Sequence, residues 1–70
     1  MPKLYSSKRI IAVLLKKGFI FISQRGSHAK FRKSGKISLT VIVPAGKKEI
    51  PFGTVRSILR QSSLAEEDFK

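Results

Sequence analysis

The residues able to do chemistry lie in one stretch, Gln24-Arg25-Gly26-Ser27-His28-Ala29-Lys30-Phe31-Arg32-Lys33, which contains the only histidine of the chain. From His28 onward apolar and basic residues alternate, and in a strand side chains two apart share a face. His28, Lys30 and Arg32 are then expected on one face, with Ala29 and Phe31 on the other. An imidazole moves protons near neutral pH, and Lys and Arg hold phosphate. Together they are a minimal set for gripping or cutting RNA. Arg25, at the turn before His28, is a further candidate for phosphate binding. Ser27 can orient a phosphate through its hydroxyl or backbone N–H. Lys47 and Lys48, in a later loop, suit general attraction to RNA.

RNA carries its own nucleophile, the 2′-hydroxyl beside each phosphate. A protein that cuts it needs a base for that hydroxyl, an acid for the leaving oxygen and cations for the developing charge. His28 fits the base, and Lys30, Arg32 and Arg25 fit the cations. The bland alternative for His28 is a surface histidine at a hairpin turn. For Gly26 ordinary hairpin geometry is expected even in an enzyme.

The charge balance points to an anionic partner. Fifteen Lys and Arg face four Asp and Glu, a net charge of +11. Glu66, Glu67 and Asp68 sit together near the C-terminus, so Glu49 is the only acid among the first 65 residues. The basic residues interleave with a folded-domain pattern, which favours nucleic acid over a disordered tail. With no cysteine there is no disulfide, thiolate nucleophile or Cys-based zinc site. One histidine and so few acids make a metal site unexpected. No cofactor is called for. The apolar run Ile10 to Leu15 is far shorter than the ~20 residues needed to span a bilayer. It has no cleavage site of the secretory kind. A cytoplasmic protein without a membrane partner is expected.

The elements that must position these groups follow in order. Ser6 or Ser7 can cap a helix over about residues 7–17, with Ile10, Ile11, Leu14 and Leu15 as its apolar stripe and Gly18 as its terminator. Phe19 to Ser23 has strand composition, with Phe19 and Phe21 on one face and Ile20 and Ile22 on the other, both pairs expected to be core first. Whichever pair faces outward, with Ile42, would form an exposed apolar patch for a partner. Residues 28–33 and 39–43 supply two further strands, the last ended by Pro44. Thr54 can cap a second helix with Val55, Ile58 and Leu59 inward and Arg56 and Arg60 outward. Leu64 to Phe69 adds a short turn, with Phe69 docking back. The result is an α+β fold in two layers, α-β-β-β-α, with helices on one face of an antiparallel three-stranded sheet.

Gly18-Phe19, Gln24-Arg25-Gly26-Ser27-His28, Val43-Pro44 and Gly53-Thr54-Val55-Arg56-Ser57-Ile58-Leu59-Arg60-Gln61 resemble, in order and spacing, the HicA toxin family of HicA–HicB toxin–antitoxin pairs. The resemblance implies one HicA-like domain over residues 1–70, with a fold like that of double-stranded-RNA-binding domains. It implies a metal-independent endoribonuclease acting on mRNA, with His28 catalytic. It also implies a HicB-type antitoxin that covers the active surface. Two departures stand out. Many family members carry a second histidine just after the Val-Pro pair, where this chain has Ala45-Gly46. The Leu-Ser lead-in to the last helix is Leu64-Ala65 here, which removes a cap of ~1 kcal/mol and predicts a fraying tail. A non-catalytic RNA-binding module of the same fold is the alternative. A DNA-binding module lacks an evident recognition helix.

Overall fold

The computed structural model describes residues 5–69. The elements run α1 (Ser7–Lys16), β1 (Ile20–Arg25), β2 (His28–Lys33), β3 (Leu39–Pro44), α2 (Phe52–Ser62) and a 3-10 turn, η1 (Glu66–Phe69). The three strands form one antiparallel sheet in the order β1-β2-β3, so the expected α+β order holds.

Helix α1 begins because Ser6 stays extended and its hydroxyl accepts the Arg9 N–H at 3.1 Å, satisfying a donor that the first turn leaves unpaired. It ends because Gly18 takes φ +99°, a conformation that a Cβ would penalise. The Phe19 N–H then bonds back to Leu14 O at 2.9 Å and the Gly18 N–H to Leu15 O at 3.2 Å. This double closure reverses the chain and delivers Phe19 into the core beside Leu14.

Two residues, Gly26 and Ser27, join β1 to β2. Gly26 has φ +59°, the sign that short hairpin turns require, and Gln24 Nε2 donates to Gly26 O at 3.0 Å. From there Ala29 pairs with Val43 and Phe31 with Val41, and all four side chains are buried under the helices. Ile10 and Leu14 of α1, Val55 and Ile58 of α2, Ile50 and Phe69 complete the core.

Three expectations are corrected. First, β1 covers residues 20–25 and carries a bulge between Phe21 and Ser23 that breaks the alternation. Only Phe19 of the expected core pairs is buried; Ile20, Phe21 and Ile22 are all exposed. The reason is tertiary: β1 is an edge strand, and α2 packs at the opposite edge, on β3. Second, α2 starts at Phe52, before Thr54. Pro51 takes the cap position with no side-chain bond, and its carbonyl accepts the Thr54 and Val55 N–H groups at 3.0 Å each. Third, the tail is held. Asp68 accepts the Ala65 N–H at 2.9 Å, supplying the half of a capping box that does not depend on a serine at position 65. Asp68 also pairs with Lys17 at 3.3 Å, and Arg9 Nε donates to Phe69 O at 3.2 Å. Phe69 is fully buried, as its apolar ring required.

Candidate nucleic-acid interface

Strand β2 runs through the middle of the sheet, so its outward side chains sit in the centre of the open face. The pairing register assigns that face. Arg25 lies opposite His28, Ser23 opposite Lys30, and Ile20 opposite Arg32 on the β1 side. On the β3 side Pro44 opposes His28, Ile42 opposes Lys30 and Thr40 opposes Arg32. His28 and Arg32 are exposed and Lys30 is half-buried, while their neighbours Ala29 and Phe31 point into the core. At about 3.3 Å per residue, His28, Lys30 and Arg32 form a row with Cα atoms roughly 7 Å apart. Arg25 extends the row sideways at His28. Successive phosphates of an extended nucleic-acid strand are separated by a similar distance, so such a row can follow a backbone.

A groove of about 630 Å³ opens beside the imidazole. His28, Ile42, Pro44 and Lys47 line it from the sheet and the following loop, and Pro51, Gly53, Thr54, Ser57 and Gln61 from α2 and its lead-in. Thr54, Ser57 and Gln61 recur at i, i+3 and i+7 and therefore share one helix face. That polar stripe, beside the buried Val55 and Ile58, is the available sequence signal for α2 as a wall of the site. From the sequence Thr54 is expected only as a cap, and Ser57 and Gln61 are not expected in the site.

Two further polar residues hold this region in shape. Ser7 is buried, and its hydroxyl donates to Pro44 O and accepts the Lys47 N–H at 3.0 Å. The Ser7 N–H donates in turn to Lys47 O at 2.9 Å. The start of α1 thus fixes the loop that presents Lys47, a task distinct from the capping done by Ser6. On the opposite side, the Ile42 N–H donates to Gln61 Oε1 at 3.1 Å, tying α2 to the outer edge of β3. Its amide nitrogen remains as the donor end of a side chain that lines the groove.

The remaining expected site residues are placed as follows. Ser27 lies in the exposed turn, and its carbonyl accepts the Ala45 N–H at 2.6 Å, which sets residues 45–46 beside the hairpin. Gly46 has φ +73° there. Lys48 is exposed in the loop and does not line the groove. The expected apolar patch takes a different form: Ile42 is half-buried in the groove, while Ile20, Phe21 and Ile22 lie along the far edge. Among the described residues no three His, Cys, Asp or Glu side chains gather as metal ligands would. No helix there is long and apolar enough to cross a membrane.

The sequence model of the family described as HicA toxin of bacterial toxin-antitoxin matches residues 7–64 of the chain. A search of curated proteins finds no match.

Proposed function

The chain belongs to the HicA toxin family, and from that premise we propose that it is the toxin of a type II toxin–antitoxin system and an endoribonuclease that cuts mRNA. Its partner is then a HicB-type antitoxin, its compartment the cytoplasm, and residues 1–70 one HicA-like domain resembling double-stranded-RNA-binding domains. The observation that carries the nuclease reading is the position of the only imidazole. It is exposed at the mouth of a groove, with Arg25 opposite it and Lys30 and Arg32 following on the same face.

In this reading an RNA strand lies across the open face with its phosphates on Arg25, Lys30 and Arg32 and one nucleotide in the groove. Lys47 and Lys48 add attraction, and Ser27 orients the phosphate nearest the turn. His28 takes the proton of a 2′-hydroxyl as general base. The freed oxygen attacks the adjacent phosphorus, and the bond from phosphorus to the 5′ oxygen breaks. The products are a 2′,3′-cyclic phosphate and a 5′-hydroxyl. The cations stabilise the charge that builds on the phosphoryl oxygens in the transition state. The leaving oxygen takes its proton from the imidazolium so formed or from water. No step calls for a metal or a cofactor.

The test is incubation of the purified protein with an RNA oligonucleotide and with the same oligonucleotide carrying one 2′-deoxy substitution at the cut site. Cutting of the first and not the second is expected. Cutting of both refutes the internal nucleophile, and binding with no cutting of either favours a non-catalytic RNA-binding module. Lys30→Ala should weaken RNA binding across sequences and lower its salt slope by about one phosphate contact.

A further inference from the structure

The proposed cleavage site uses the open face of the sheet and the groove by α2, and leaves the outer edge of β1 unengaged. All six residues of β1 are exposed. Ile20, Phe21 and Ile22 are 60, 54 and 41% exposed in sequence, a run of three large apolar side chains in a domain of this size. Leu15, in the last turn of α1, is exposed as well, and α1 packs against β1. β1 ends the sheet, and among the described residues none hydrogen-bonds along its outer side. An edge of this kind offers main-chain donors and acceptors to an added strand, and apolar side chains beside it supply the burial.

Charge and geometry select the occupant. Arg25 closes the strand, Arg32 stands opposite Ile20, and Lys16 and Lys17 follow Leu15. Two copies of a chain with a net charge of +11 repel each other. RNA answers the charge but has no use for isoleucines or free peptide groups. An acidic polypeptide strand answers all three. We infer that the antitoxin adds an acid-bearing strand to the outer edge of β1, with apolar side chains against Ile20, Phe21 and Ile22 and carboxylates toward Arg25 and Arg32. The inference rests on the reading of this chain as a toxin with an antitoxin partner. It also supplies a means of inhibition. The added strand occupies two cations that the RNA phosphates require, which blocks cleavage.

The test uses the toxin co-expressed with its antitoxin and follows hydrogen exchange of the β1 amides, free and in the complex. Slowing at residues 20–25 on complex formation is expected. Ile22→Glu, at an exposed position outside the proposed RNA site, should weaken the antitoxin complex about 30-fold or more while RNA cutting is unchanged. Unaltered exchange at β1 in a formed complex overturns the inference, as does slowing at β1 by RNA alone or in a dimer of the free toxin. A cleavage assay on the same samples keeps the two readings apart. Wild-type protein that cuts no RNA but is protected at β1 by the antitoxin loses the nuclease reading and keeps this one.

Discussion

The two edges of the sheet are treated in opposite ways. At β3, helix α2 lies alongside, Gln61 accepts the Ile42 N–H, and the space left between strand and helix is the groove that reaches His28. At β1, among the described residues no element covers the outer side, and three large apolar side chains meet solvent. An uncovered edge is a liability that proteins blunt with bulges and charge, and β1 has both in the bulge at Ile22 and the cations around it. The difference teaches that chemistry and recognition can be divided between edges. The edge beside the groove is closed by α2, and the other is left open, which fits the proposed division between an RNA site and a partner surface.

The sharpest way to break this contrast is to compare two stacked phenylalanines. Phe31 and Phe21 meet edge to face, with ring centroids 5.7 Å apart, yet Phe31 is buried and Phe21 is half-exposed. Phe31→Ala should cost about 3–5 kcal/mol, close to the whole stability of so small a domain. Phe21→Ala should cost only about 1 kcal/mol, since roughly half of its transfer energy is realised in the fold. Chemical denaturation of both variants measures the gap, and equal losses would contradict an open β1 edge.

Next in size is the tie that closes β3. Gln61→Ala leaves the Ile42 N–H without its protein partner and should cost about 1 kcal/mol. The Ile42 amide should then exchange faster, with little change in β1. An unchanged Ile42 amide would mean that α2 closes this edge without Gln61.

The smallest effect concerns the tail packed on α1. The Ala65 N–H bond first, and Lys17 second, hold the Asp68 carboxyl below the ordinary aspartate value, with desolvation opposing them. A folded-state value below the unfolded one means that this contribution is present above the unfolded value, ~3.9. It is lost as pH falls through the folded value. Acid should therefore loosen the 65–69 turn before the sheet, visible as a change in the Phe69 ring signals. Asp68→Asn should remove that step.

Much of this was legible in the sequence because the deciding signals are local. The alternation from His28 to Arg32 fixed which side chains share the open face, the Gly26-Ser27 pair located the hairpin, and Gly18 marked the end of α1. What escaped depends on contacts far apart in the chain. The bulge at Ile22 is a property of how β1 registers on β2, and period-2 reading cannot see it. Ser7 looks like one of two equivalent caps until the fold brings Pro44 and Lys47 against it. The part of Gln61 in the groove wall exists only because α2 runs beside β3.

The most direct measurement is the single-turnover rate of RNA cutting by the wild-type protein and by His28→Ala, with RNA affinity measured alongside. The account predicts a loss of about 10²–10⁴ in rate at near-normal affinity, the usual cost of removing a general base. A variant that cuts RNA at the wild-type rate would contradict it, because the row of cations would then be working without the imidazole at its head.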